Sequence, residues 1–198
     1  PHIEVIRTAL SARRDTCDAL ICCMSAPEIM RLTRMGRFKM DGEATGALAV
    51  LKRLRGGGDK TGRSAGAQQM SMLRRLPRLL RFIPGTAQDV RAYVLTLQYW
   101  LAGSETNLAR LMAFLVQRYA TKISEDHRNA LPYEPPVEYP DTGLYHRDIP
   151  DRITANPKVL EQRGRGEKGT VGLLLMRSYA LSGNIANYDA VIEALESR

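Results

Sequence analysis

Lys60 and Thr61 follow a glycine-rich stretch, a combination that invites comparison with the phosphate-binding loop of nucleotide hydrolases. In the pattern G-x-x-x-x-G-K-[ST], backbone amides cradle the phosphates and the lysine contacts their oxygens. Applied to Lys60, the pattern requires glycine at positions 54 and 59, where the sequence has Leu54 and Asp59. Asp59 would also place a carboxylate beside the phosphates. The sequence therefore predicts no nucleotide site in this loop.

Side chains that bind metals or transfer protons are sparse. The three histidines are scattered along the chain, at positions 2, 127 and 146. Cys17, Cys22 and Cys23 fit no zinc-site spacing, and an odd number of clustered cysteines in an apolar segment indicates reduced cysteine of a cytoplasmic protein. We therefore assign no catalytic residue and no metal ligand.

Arg177, Ser178 and Tyr179 form the most suggestive polar group. They follow residues 169–176, an apolar run that predicts a buried parallel strand, and open α/β sheets bind ligands beyond the carboxyl ends of their strands. Arginine can hold a carboxylate through two parallel hydrogen bonds. The alternative is a polar turn, over 177–186, that only caps the next helix.

Positive charge is concentrated in one segment. Residues 31–81 contain thirteen of the 29 basic residues and three of the 21 acidic ones, and the rest of the chain has a slight excess of acids. This asymmetry indicates either an anionic partner, such as nucleic acid, lipid head groups or a small polyanion, or simply a solvated basic face.

The elements that must position these residues point to a helix-rich α/β fold. The 198 residues are 44% hydrophobic and 25% charged, as in ordinary globular proteins, and no apolar run is long enough for a membrane helix. We predict a helix over 3–13, a strand over 17–24, and a helix capped by Ser25 with Glu28 in a capping box. A short helix over 47–54, a glycine-rich loop over 56–66 and a helix over 67–83, kinked or restarted at Pro77, follow.

The clearest prediction is an αα-hairpin over 87–120. Apolar residues at helical spacing precede Gly103 and follow Ser104, so two amphipathic helices are joined by a turn too short for anything but an antiparallel return.

Six prolines in 131–157 predict a crossing segment without regular structure. A helix over 187–198, with Val191, Ile192 and Leu195 inward, completes a βα unit. Because partial α/β layers occur at both ends, we expect a fragment of a larger multidomain chain.

The sequence resembles the large (H) subunit of magnesium chelatases of the bacteriochlorophyll pathway. The similarity runs through almost the whole chain, at 25–32 (SAPEIMRL), 76–85 (LPRLLRFIPG), 87–91 (AQDVR), 97–104 (LQYWLAGS), 141–146 (DTGLYH) and 172–179 (GLLLMRSY). It covers only an N-terminal portion of that much longer protein. It implies the end of an N-terminal α/β domain with a basic glycine-rich loop (1–66), a helical region (67–130), a proline-rich crossing segment (131–168) and the first βα unit of the chelatase domain (169–198).

The resemblance implies an enzyme that, at full length, binds protoporphyrin IX and inserts Mg²⁺, with ATP hydrolysed on separate AAA+ partners, the I and D subunits. The fragment alone is expected to be inactive and to bind neither ATP nor nucleic acid. Arg177 is the expected contact for a porphyrin propionate, with Ser178 and Tyr179 as secondary polar contacts. The nearest alternative is the large subunit of aerobic cobaltochelatase. An alternative of another class is a basic nucleic-acid-binding module.

Overall fold

A computed structural model describes residues 2–23, 25–42, 49, 73–131, 133–149, 152–161, 169 and 171–197. Its helices are α1 (His2–Arg13), α2 (Pro27–Met30), α3 (Thr86–Ala102), α4 (Glu105–Tyr119), α5 (Glu125–Asn129), α6 (Lys158–Glu161), α7 (Arg177–Ser182) and α8 (Ala186–Glu196). Residues 73–79 are also helical and run into a 3₁₀ turn, Leu80–Phe82. The strands are β1 (Ala19–Leu20), β2 (Arg34–Met35), β3 (Phe38–Lys39), β4 (Leu144–Tyr145) and β5 (Ile153–Thr154). The helix-rich α/β class is confirmed.

The N-terminal region contains a small antiparallel sheet in the order β1-β2-β3. The strand predicted over 17–24 is only two residues long, and it pairs antiparallel with β2, Ala19 opposite Met35. The predicted capping box is wrong. Helix α2 begins at Pro27, so its N-cap is Ala26, which has no side-chain oxygen. The fixed φ of proline suits the first helical position, and this preference sets the start of the helix two residues after Ser25.

The αα-hairpin is confirmed, with the predicted turn. Gly103 ends α3 in the left-handed conformation (φ 63°), and the Ser104 hydroxyl accepts a hydrogen bond from the Asn107 N–H at 3.2 Å. The Tyr119 hydroxyl, at the end of α4, donates to Asp89 Oδ1, in the first turn of α3, at 2.9 Å. That contact can form only if the two helices run antiparallel.

The hydrophobic core forms where the small sheet packs on α3. Val90, Tyr93 and Val94 of α3 are buried, as the predicted stripe requires, while Leu97 is half-buried against the same cluster. Phe38 of β3 lies 5.3 Å from the Tyr93 ring, measured between centroids. Helix α4 contributes less than predicted, since Leu108 and Met112 are exposed.

The proline-rich region is partly regular, which corrects the prediction of none. Residues 133–140 have no secondary structure, but β4 and β5 then form an antiparallel two-stranded ladder in which Tyr145 faces Ile153. Gly143 is needed beside this ladder because a β-carbon there would lie 2.6 Å from the Thr154 carbonyl oxygen.

The C-terminal region differs most from the sequence prediction. Residues 171–176 form no strand in the described part of the chain, and Leu174 is 97% exposed. The loop predicted over 177–186 instead contains helix α7, while α8 confirms the predicted final helix. Val191 and Leu195 were expected to point inward and are exposed. An apolar strand acquires its ladder only from neighbouring strands, and the described residues supply none here.

Several predictions fall outside the described residues. They are almost all of the 47–54 helix, the 56–66 loop and the first six residues of the 67–83 helix. Among the described helices, none is long and apolar enough to cross a membrane.

Candidate functional site

Arg177 lies at the first position of α7 and is half-buried. Its guanidinium donates from Nε to the Pro140 carbonyl oxygen at 2.7 Å and from Nη2 to that of Tyr139 at 3.3 Å. The side chain therefore ties α7 to the proline-rich segment. The two acceptors are neutral, so the positive charge of Arg177 is not cancelled by them.

A groove open to solvent runs beside Arg177. It lies between the C-terminal half of α3 and the proline-rich segment, and it is lined by Arg74, Gln98, Leu101, Ala102, Pro136, Val137, Glu138, Tyr139, Asp141 and Arg177. Its cavity volume of about 70 Å³ is far below the roughly 300–1,000 Å³ of sites that enclose a drug-sized ligand. The groove can accept a group as small as a carboxylate, and a flat macrocycle would have to lie outside it.

Ser178 and Tyr179 do not line this groove. Both are exposed, and the Tyr179 ring packs 6.4 Å from that of Tyr188 on α8. The three residues predicted as one site are therefore split, because they begin a helix, where consecutive side chains point in different directions.

Arg74 and Gln98 are groove residues that the sequence analysis did not single out. Arg74 Nη2 pairs with Asp141 Oδ1 at 2.8 Å, and Gln98 Nε2 donates to the Leu73 carbonyl oxygen at 2.7 Å. The groove lining thus includes two guanidinium groups, those of Arg74 and Arg177, and two carboxylate side chains, Glu138 and the Asp141 that pairs with Arg74. No motif in the sequence links positions 74, 98 and 177, which only the fold brings together.

The hairpin holds the opposite wall of the groove in place. Asn107, fully buried on α4, donates to the Val137 carbonyl oxygen at 2.9 Å and accepts from the Val137 N–H at 2.8 Å. The Tyr99 hydroxyl donates to the Glu134 carbonyl oxygen, and burial raises the pKa of Tyr99 to about 12. Arg110 pairs with the Glu134 carboxylate. The proline-rich segment is therefore fixed to both helices by its backbone as well as by one ion pair.

Metal-ligating side chains do not cluster in the part of the chain described: no group of three or more His, Cys, Asp or Glu residues there could hold a metal ion. All three cysteines are free thiols. Burial raises the pKa of the Cys22 and Cys23 thiols, which disfavours the reactive thiolate. The groove is thus the candidate site in the described part of the chain, and Arg177 presents there a guanidinium group whose hydrogen-bond acceptors are neutral carbonyl oxygens.

Two known families match the chain in succession. Residues 1–94 match a domain of unknown function (DUF3479), and residues 97–198 match the family described as CobN/Magnesium Chelatase. The two ranges meet inside α3. The chain belongs to the CobN/Magnesium Chelatase family.

Individual relatives of the chain show this similarity in more detail. The chain is 46% identical over 197 residues to the magnesium-chelatase H subunit of Cereibacter sphaeroides and 44% identical over 196 residues to the H subunit of Rhodobacter capsulatus. It is 30% identical over 207 aligned positions to the chloroplastic magnesium-chelatase ChlH subunit of Oryza sativa subsp. indica. These alignments cover 100%, 99% and 98% of this chain. The chain spans only 16%, 16% and 14% of the length of those relatives.

Proposed function

We propose that the polypeptide containing this chain is the porphyrin-binding H subunit of a magnesium chelatase. The single observation that carries the proposal is the 46% identity, over the whole chain, to a protein named as the H subunit of magnesium chelatase. The named relatives at high identity are all magnesium chelatases, so nothing favours the cobaltochelatase alternative. The basic segment that suggested nucleic-acid binding is described only at residues 31–42, 49 and 73–81.

The reaction is the insertion of Mg²⁺, the metal substrate, into protoporphyrin IX. One Mg²⁺ ion replaces the two protons on the pyrrole nitrogens, and those protons leave to solvent. ATP hydrolysis takes place on the AAA+ I and D partner subunits. The absence of a phosphate-loop pattern around Lys60 fits this division of labour. Reconstitution of the full-length polypeptide with these partners, ATP and Mg²⁺ tests the proposal, and no gain of magnesium porphyrin over a mixture lacking ATP would refute it.

Within this chain, we propose that the groove receives one propionate of the porphyrin. Arg177 has neutral backbone acceptors, so its charge remains available to a carboxylate, whereas Arg74 already pairs with Asp141. The small volume of the groove admits the propionate and leaves the ring outside. Ser178 and Tyr179, exposed just beyond the groove, are proposed as contacts to the outer edge of the same ligand.

Arg177→Ala in the full-length polypeptide tests this contact, with a water-soluble dicarboxylate porphyrin followed by tryptophan fluorescence quenching. Loss of one charge-assisted contact of about 1.5–3 kcal/mol weakens binding about ten- to a hundredfold. The dimethyl ester of the same porphyrin is the matched control ligand, because it keeps the ring and loses both charges. If the substitution weakens binding of the acid and the ester equally, the role of Arg177 is structural and the propionate contact is refuted.

A further inference from the structure

The most conspicuous surface feature outside the groove is the turn formed by residues 78–83, here called the basic apolar turn. Three large apolar side chains project from it, and their exposed fractions are 69% for Leu79, 84% for Phe82 and 49% for Ile83. Arg81 is exposed between Leu79 and Phe82, and Arg78 is exposed just before Leu79. Isolated apolar residues at a surface are ordinary, but three on one short turn mark an interaction site.

The turn is held in this exposed position by polar contacts from α3. Gln88 Nε2 lies 2.8 Å from the Leu80 carbonyl oxygen, 3.2 Å from that of Arg81 and 2.5 Å from that of Ile83. Arg91 Nε donates to the Pro77 carbonyl oxygen at 3.0 Å. The Leu80 side chain is buried in the core and anchors the middle of the turn. These contacts fix the backbone of the turn on its inner side and leave the Leu79, Phe82 and Ile83 side chains exposed.

Residues 73–88, which contain the turn, carry positive charge only. The sequence from position 73 to 88 contains four arginines and no acidic residue. Arg74 pairs with Asp141, whereas Arg78 and Arg81 take part in none of the ion pairs formed among the described residues. The Arg81 guanidinium lies 5.7 Å from the centroid of the Phe82 ring. Cationic and apolar groups are therefore presented together on the same face.

We propose that the basic apolar turn docks the protein on an anionic lipid surface. Phe82, Leu79 and Ile83 enter the boundary between head groups and acyl chains, while Arg78 and Arg81 contact the lipid phosphates. Apolar insertion and electrostatic attraction to anionic lipids combine in this way in peripheral membrane proteins. A small-molecule ligand fits the turn poorly, because such sites are concave and this one protrudes. Nucleic acid fits poorly as well, since its phosphates would leave the two aliphatic side chains in water.

Co-sedimentation of the full-length polypeptide with vesicles tests the proposal. Vesicles with roughly one third phosphatidylglycerol in phosphatidylcholine are compared with pure phosphatidylcholine, and we expect binding to the former that falls as salt screens the head groups. Phe82→Ser is expected to weaken that binding about tenfold, because it withdraws the largest inserted side chain. Arg78→Gln is expected to weaken it about fivefold, the effect of one arginine near a charged surface.

Matched controls separate this turn from general surface effects. Met112→Ser changes another exposed apolar residue, on α4, and Arg31→Gln changes another exposed arginine, after α2; both are expected to leave binding unchanged. If Phe82→Ser is not folded by circular dichroism, Leu79→Ser takes its place. The proposal is overturned if the polypeptide ignores anionic vesicles, or if the controls weaken binding as much as the turn variants. It is also overturned if the polypeptide binds short DNA duplexes and not vesicles. The same holds if Phe82→Ser changes the self-association of the polypeptide and leaves its vesicle binding unchanged.

Discussion

Asn107 does not line the candidate groove, but it binds the backbone of Val137, which does. It is fully buried on α4, and its amide forms both hydrogen bonds that a neighbouring strand would form with Val137. A buried asparagine on an amphipathic helix needs hydrogen-bond partners. In the structure it replaces a strand partner for a proline-rich segment that has no ladder of its own.

Replacement of this amide gives the first prediction. Asn107→Leu keeps the approximate volume but leaves the N–H and C=O of the half-buried Val137 without partners, so the free energy of unfolding falls by about 2 kcal/mol. Urea denaturation measures the change. Asn129→Leu, at an exposed position at the end of α5, is the control and shifts the midpoint little. Equal effects of the two substitutions would contradict the assigned role of Asn107.

Arg177 shows how far residue chemistry alone could be taken. The sequence identified it as a cation able to meet a carboxylate, and the structure places it in a groove with a second arginine. Its hydrogen bonds to the carbonyl groups of Tyr139 and Pro140 could not be predicted, because they join positions 37 and 38 residues apart. The proposed propionate contact thus depends on a placement that only the tertiary structure supplies.

At the scale of elements, local signals were predicted well and non-local ones were not. The hairpin depends on Gly103, Ser104 and repeating apolar residues within one stretch of chain, and its turn and both helices were found as predicted, although Leu108 and Met112 of α4 are exposed. The strand over 169–176 depends on partners elsewhere, and the described residues provide none. The predicted start of helix α2 was wrong for a different reason. Ser25 and Glu28 satisfy the capping pattern, but Pro27 determines where the helix starts.

The turn of the hairpin gives a prediction at this scale. Gly103→Ala forces an L residue to φ 63°, which costs about 1 kcal/mol, although the new β-carbon would meet only the Trp100 carbonyl oxygen at an ordinary 3.7 Å. Thermal unfolding checks the expected loss of stability. Gly172→Ala is the matched control, because that glycine has no positive φ and nothing within 4 Å of its added β-carbon. A Gly103→Ala protein as stable as the control would show that the turn relaxes without strain.

At the scale of the whole molecule, the described chain is well packed at the hairpin and loosely held at its C-terminal end. Helix α8 has no buried residue, whereas α3 has seven. Polar contacts connect α8 to the β4–β5 region, including those of the Tyr145 hydroxyl with Asp189, His146 Nε2 with Glu196 at 2.9 Å, and Arg147 Nη1 with Glu193 at 3.1 Å. These pairs of residues are 44 to 50 positions apart, and Arg147 Nη2 also lies 3.9 Å from Glu196 Oε2. The chain covers 16% of the length of its bacterial relatives, and its largely exposed apolar residues 171–176 lie in this same loosely held region.

These contacts predict that α8 is released by salt while the hairpin is not. Exposed ion pairs contribute about 0–1 kcal/mol each, and at 1 M salt the screening length falls to about 3 Å, so the Arg147–Glu193 pair loses most of its attraction. Hydrogen exchange should therefore be faster in α8 than in α3 at low salt, and it should accelerate further in α8 alone at high salt. Arg147→Gln should reproduce the effect without salt, whereas Arg7→Gln, which removes the Glu4–Arg7 pair of α1, should leave α8 unchanged. Protection of α8 equal to that of α3, unaffected by salt or by Arg147→Gln, would mean that apolar contacts hold this helix and that the polar contacts are incidental.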